Sequence, residues 1–302
     1  MQSLNLAQPV FELASHTARN NWTIRDSFNG LSIHGGIGSG KSTGSGKFIA
    51  LKYLQLGYGG LVLTGKPDEK EAWAEYCRMT GRSDDLVVIE PGGRYRFNFI
   101  DYESRNQSGQ EAITENIVEV LKTVIRAGEE KSSGKSDDPF WETALDMLMV
   151  NAIDLCRLAY GRLAITDLYN VVQSIPKAEE RPQSGEEEPK AFQVAFRLAK
   201  NNVNLQVDQW FANLSEDVRE SYMEDPGHFQ QQMANEIPDV RLMQFLDQFF
   251  IDNYIGLSEK TRSIVDFQFS GFLFRLLREP IFSLFCQGRS TATPEDAFNG
   301  KI

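Results

Sequence analysis

The chain has 302 residues, 41% of them hydrophobic and 11% aromatic; that is length for about two domains and apolar material for a packed core, so global disorder is excluded. A formal net charge of −11 and a pI near 4.9 exclude a protein that coats DNA through a basic surface, while a few loop residues lining a ring could still handle DNA. Cys77, Cys156 and Cys286 form no C-x-x-C and His16, His34 and His228 are scattered, which fits buried thiols in a reducing compartment and gives no zinc cluster.

Residues 1–30 are a polar lead-in with Trp22-Thr-Ile24 as one short strand or a cap on a sheet. Leu31-Ser-Ile-His34 then alternates apolar and polar residues, the period of a strand. Gly35-Gly-Ile-Gly-Ser-Gly40-Lys41-Ser42 follows and satisfies G-x-x-x-x-G-K-[ST]. Phe48 to Leu54 places apolar residues at helical spacing, so the pattern sits between a strand and a helix, the setting of a phosphate-binding loop. In that setting Gly36, Ile37, Gly38, Ser39, Gly40, Lys41, Ser42 and Thr43 cradle the phosphates of ATP through main-chain N–H groups. Lys41 reaches the β- and γ-phosphates as the catalytic cation, and the Ser42 hydroxyl ligates Mg²⁺. A second Gly44-Ser-Gly-Lys47 is the weaker candidate, because Phe48 stands where the metal-binding hydroxyl belongs.

Gly60-Leu-Val-Leu-Thr64 is the next expected strand, Asp68 to Met79 a helix with an acidic first turn, and Leu86-Val-Val-Ile89 a third strand. Strands alternating with helices predict an α/β parallel sheet with nucleotide at the carboxyl ends of its strands. This nucleotide-binding part spans 31–136. Glu111 to Ala127 is a further helix and Gly128 to Asp138 a mixed-charge loop. Beyond it, 137–286 reads as an inserted all-α domain and return helix. Helical periodicity runs from Trp141 to Leu158, and Thr166 caps another helix. Pro176 to Pro189 is an acidic linker, and Phe192 to Leu205, Ser215 to Met223 and Val240 to Tyr254 are helices. Residues 287–302 re-enter the first domain. Three strands are too few for a sheet covered on both faces, and Phe298-Asn-Gly-Lys-Ile302 resembles a turn entering another strand, so the expectation is a fragment whose sheet is incomplete.

Met1-Gln-Ser-Leu-Asn5 has neither the basic start nor the apolar core of a signal peptide. The longest apolar stretch, Phe267 to Cys286, is broken by Arg275, Arg278, Glu279 and Pro280. The expectation is a cytoplasmic chain with no membrane-spanning segment.

Gly59 to Glu69 (GGLVLTGKPDE), Val87-Val-Ile-Glu-Pro91 and Phe97-Asn-Phe-Ile-Asp101 follow the glycine loop in order. Asp138-Pro-Phe-Trp-Glu-Thr-Ala144, Leu257 to Ser263 and Leu276-Leu-Arg-Glu-Pro280 come later. With these segments the chain, over roughly 30–302, resembles the coupling-protein ATPases of conjugation and type IV secretion (TraG/TraD-like), in the DNA-translocating FtsK/HerA superfamily. The resemblance implies a RecA-like domain and a homo-hexameric ring with ATP between subunits and DNA through the pore. It also implies secretion-system partners at the cytoplasmic face of the inner membrane. Thr64-Gly-Lys-Pro-Asp68 departs from the family's Asp-Pro-Lys, so Asp68 or Glu69 would have to take that aspartate's place. Glu90 is the one local candidate for a magnesium carboxylate, but Pro91-Gly-Gly follows it and a structural strand end is the stronger reading. The family's Asp-Glu strand, sensor and arginine finger would all lie beyond Ile302, so hydrolysis by this polypeptide is expected to be slow.

Some residues carry two readings each. Lys66 is a phosphate or DNA contact, or a solvated turn lysine. Arg94 and Arg96 around Tyr95 are a nucleic-acid contact or a solvated turn. Arg262 is a subunit-interface group or a salt bridge at a helix start, and Trp141 anchors the all-α domain. Two other functions stay in view: a protein-substrate docking module whose ATP fixes ring assembly, and a small-molecule kinase. The large helical insertion and the lack of an Arg-rich lid disfavour the kinase.

Overall fold

The computed structural model describes residues 5–14, 19–66, 68–105, 110–129, 139–177 and 188–302. The 130–138 loop, most of the Pro176–Pro189 linker and the Trp141 side chain lie outside the described residues. The chain divides into two compact units, Met1–Arg96 with Thr291–Ile302, and Phe97–Ser290.

The first unit opens with β1 (Pro9–Ala14) and β2 (Arg19–Thr23), an antiparallel ribbon in which Phe11 faces Trp22 and Leu13 faces Asn20. A short α1 (Ile24–Ser27) follows, closed by a capping box: Thr23 N–H donates to Asp26 Oδ2 at 2.8 Å and Asp26 N–H to Thr23 Oγ1 at 3.4 Å. The bond from Thr23 N–H first, and then one from the Thr23 hydroxyl to the same oxygen at 2.7 Å, hold the Asp26 carboxyl below its ordinary value. A wide π-type turn, Lys41–Gly46, leads into α2 (Lys47–Gln55). The ribbon packs on this helix: Phe11 stacks on Trp22 with centroids 5.9 Å apart and meets Phe48 edge-on at 5.5 Å. The Tyr53 hydroxyl donates to Ser27 Oγ at 2.7 Å, so α1 is tied to the same helix. Next come α3 (Glu69–Met79) and, after the second unit's residues, α13 (Pro294–Phe298).

The parallel sheet expected of a RecA-like α/β domain is not formed. Among the described residues the only sheet is the β1–β2 ribbon, and most of the rest is helix. Leu31–His34, Gly60–Thr64 and Leu86–Ile89 are not strands, and they make no main-chain hydrogen bonds to one another. An apolar run favours an extended backbone, but a strand also requires a partner at hydrogen-bonding distance, which these runs do not supply to each other. What ties this region is Arg82. Its guanidinium donates to Tyr58 O at 2.6 Å and Asp85 Oδ2 at 2.9 Å, and also to Gly300 O. Lys301 Nζ donates to Asp84 O at 2.9 Å and Asp85 Oδ1 at 3.1 Å. Asp85 is held below its ordinary value by the bond from Lys301 first and that from Arg82 second.

The second unit is helical throughout its described residues. Its elements are α4 (Phe99–Arg105), α5 (Gln110–Glu129), α6 (Pro139–Tyr160), α7 (Ile165–Gln173), α8 (Ala191–Ala212), α9 (Glu216–Glu224), α10 (Pro226–Glu236), α11 (Pro238–Asp247) and α12 (Glu259–Leu276). The π-type turns Gln248–Tyr254 and Phe282–Cys286 follow α11 and α12. Apolar residues at helical spacing on α6 (Leu148, Met149, Ile153, Leu155) are wholly buried, and α8 fits its small Ala195 and Ala199 into the same core. Each such side chain contributes about 1.5–3 kcal/mol by leaving water. Helix α7 begins at Ile165, and Thr166 is not its cap: Ala164 holds that position without a side-chain bond. Buried polar groups in this unit are hydrogen-bonded. Asp154 accepts from Thr114 Oγ1 at 2.7 Å and from Arg157 Nη1 at 3.1 Å, yet burial outweighs both bonds and raises its carboxyl above the ordinary value. No helix among the described residues is long and apolar enough to cross a membrane.

Candidate functional site

The glycine loop is shaped by its own residues. Gly38 and Gly40 have φ of 75° and 79°, left-handed conformations that a side chain disfavours, and Gly40 hands the chain directly into the wide turn. A Cβ on Gly35 would lie 2.5 Å from Ser39 Oγ, so a side chain there would force the Ser39 hydroxyl to turn away. Lys41 Nζ reaches back across the loop and donates to Gly35 O and Gly36 O, both at 2.6 Å. The Ser39 N–H donates to Gly36 O at 3.3 Å. Gly44 N–H donates to Gly40 O at 2.7 Å and begins the turn.

The outcome is an ammonium held by two loop carbonyls. The N–H groups of Gly38, Gly40, Lys41, Ser42 and Thr43 enter no main-chain hydrogen bond among the described residues, as expected where a helical segment starts. Gly36, Ile37, Gly38, Ser39, Ser42 and Thr43 are exposed, Ile37 completely, while Gly40 and Lys41 are half-buried. These residues fit a triphosphate: unused donors, a helix start and an ammonium converge on one loop, and the Ser42 hydroxyl is open to a metal. Of the second glycine pair, Gly46 has a steric role. A Cβ on Gly46 would stand 2.9 Å from Lys41 O, so the wide turn needs glycine there.

The other sequence candidates are placed differently. Glu90 accepts from Lys70 Nζ at 2.8 and 2.9 Å, and this bond, ahead of the charge itself, raises Lys70 above its ordinary value. A magnesium role for Glu90 would have to break that pair. Lys66 is an exposed lysine 3.7 Å from Glu69 Oε1, and Arg94 lies over the Tyr95 ring at 5.4 Å. Arg262 is buried: Nη2 donates to Ile175 O at 2.7 Å, Nε to Asp266 Oδ2 at 3.3 Å, and the guanidinium covers Tyr254 at 5.2 Å. Its hydrogen bonds are made within its own unit. Among the described residues no group of three or more His, Cys, Asp and Glu is placed to hold a metal ion. All three thiols are buried, and burial pushes Cys286 up to about 12.

Sequence reasoning missed the Arg82–Asp85–Lys301 tie and the first strand of the aromatic ribbon over α2, whose second strand it placed at Trp22. The ribbon had a local signal, Val10-Phe-Glu-Leu13, that alternates as a strand does. No family model, no curated protein and no solved structure matches this chain.

Proposed function

We propose that the chain binds a nucleoside triphosphate, with Mg²⁺, through Gly36–Thr43, and that it serves as the ATP-binding subunit of a DNA-translocating motor of coupling-protein type in conjugation or type IV secretion. The observation that carries the first part is the Lys41 ammonium on the Gly35 and Gly36 carbonyls inside a loop whose following N–H groups are unused. The second part rests on the order of sequence segments that resemble that family, which brings with it a homo-hexamer, DNA in the pore and secretion-system partners. Mg²⁺ would supply neutralisation of phosphate charge, and the chain's own residues would bind and orient: main-chain N–H groups of the loop would hold phosphate oxygens, Lys41 would supply a positive charge to them and the Ser42 hydroxyl would be a ligand for the metal.

A second reading, ATP-dependent docking of a protein substrate, is favoured by one feature of the helical unit. A hollow of about 530 Å³ opens beside α8, lined by Phe192, Phe196, Lys200 and Ile251. Titration calorimetry with ATP and Mg²⁺ tests the nucleotide site. Lys41→Ala is expected to weaken affinity about 10- to 100-fold, the worth of one charged hydrogen-bonding group. Equal affinity in the two proteins would overturn the reading. DNA-stimulated turnover separates the motor from the docking module, which would bind peptide and ignore DNA.

A further inference from the structure

We infer that the cavity enclosed by the end of α6, α8 and α11 is the binding site of a free apolar amino acid, whose carboxylate goes to Arg157 and whose ammonium goes to Asp239. The cavity measures about 470 Å³, inside the range of about 300–1,000 Å³ typical of small-molecule sites. Arg157, Leu158 and Leu163 line it from the end of α6 and the turn after it, Gln206 from α8, and Asp239 and Leu242 from α11. The end of α6 is pinned to α8, because Asn202 Nδ2 donates to Leu158 O at 2.8 Å and to Ala159 O at 3.1 Å.

The Arg157 side chain is only 18% exposed, and its Nη1 donates to Thr114 Oγ1 and, at 3.1 Å, to Asp154 Oδ1. Both hydrogens of that nitrogen are thereby used. Nε and Nη2 make no hydrogen bond among the described residues. They form the edge of the guanidinium that matches the two oxygens of a carboxylate. Thr114 and Asp154 are buried, so they hold the guanidinium in place before a ligand arrives. Asp239 accepts from Gln206 Nε2 at 2.9 Å and forms no ion pair among the described residues. Its charge reaches the same network: burial comes first in raising the Asp154 carboxyl, and repulsion from Asp239 adds to it. The charge balance then selects the ligand. Asp154 offsets Arg157, and Asp167 offsets Arg162 at 3.2 Å, which leaves Asp239 unbalanced. An anion on Arg157 would meet the Asp239 charge, and a cation on Asp239 would leave the guanidinium edge unfilled. A zwitterion satisfies both and adds no net charge. Leu158, Leu163 and Leu242 offer the remaining wall to an apolar side chain.

The probe is L-phenylalanine, titrated into the full chain by calorimetry beside 3-phenylpropionate, which lacks the ammonium, and L-phenylalaninamide, which lacks the carboxylate. Phenylalanine should bind saturably with a dissociation constant of about 1 mM, and each analogue at least about tenfold more weakly, the worth of one charged hydrogen-bonding group. Asp239→Asn should bring phenylalanine and 3-phenylpropionate to within about twofold of each other. Arg157→Lys keeps the charge but removes the fork, and should weaken phenylalanine about tenfold while leaving the amide unchanged. Arg157 also ties Asp154, so should that variant fail to fold, the Asp239→Asn comparison decides. No saturable heat with phenylalanine up to about 20 mM would overturn the inference. So would an amide that binds as well as phenylalanine, or a preference over 3-phenylpropionate that survives Asp239→Asn.

Discussion

The two units show opposite solutions to the same requirement. In Phe97–Ser290 each helix satisfies its own main chain, and the apolar faces of α6, α7, α8 and α12 close a continuous core around Leu148, Ile153 and Phe269. In the first unit the buried cluster is small (Val10, Phe11 and Ile24, with Tyr53 and Tyr58 against it), and long apolar side chains from the extended runs remain in water. Local periodicity is enough to finish a helical unit. A unit that depends on extended runs is finished only by something that supplies hydrogen bonds from outside each run.

The sharpest way to break that comparison is a pair of leucines. Leu148→Ala, in the closed core, should cost about 3–5 kcal/mol in chemical denaturation, whereas Leu61→Ala should stay within about 0.5 kcal/mol. Equal losses would mean that Leu61 is covered in solution. Next in size is Arg82→Ala, which removes the donors to Tyr58 O, Gly300 O and Asp85 together. A loss of about 2–3 kcal/mol is expected, confined to the first unit and readable as faster exchange at Gly60 and Val87. The second unit's melting should not move.

The smallest effect is a difference in acid response. Asp85 is held below its ordinary 3.8, so its contribution is complete above that pH and is lost as pH falls through the lowered folded value. Asp154 is raised above 3.8 by burial, and the sign reverses. Its ionisation weighs against the folded state at neutral pH, and acidification through its raised value down to 3.8 relieves that burden. Between neutrality and pH about 4 the helical unit should therefore hold or gain stability from Asp154, while below about 4 the first unit loosens. Unit-resolved exchange against pH checks both slopes.

How far the chain could be read from residues alone follows the same division. The turns of the glycine loop were legible because they are local, down to the left-handed Gly38 and Gly40, but the Leu31–His34 strand expected to lead into it is not formed. Helices α6, α8, α9 and α11 lie where apolar spacing placed helices, whereas α10 was not read, α12 begins earlier than its apolar run, and the cap of α7 is Ala164 rather than Thr166. The sheet was not legible. Val87-Val-Ile89 reads as a strand by composition, but pairing is a property of two segments. The one partner that reaches it, Ile302, is more than two hundred residues away in sequence. Arg82 was overlooked for the same reason, since its contact with Gly300 spans 218 positions.

The buried thiols have a practical consequence. Cys77, Cys156 and Cys286 are all enclosed, and desolvation disfavours the reactive thiolate at each of them. A maleimide dye added to the native chain should find no ready target. An Ile37→Cys variant would present a single fast-reacting sulfur at the tip of the glycine loop, so a fluorophore could report on that loop with every native cysteine left in place.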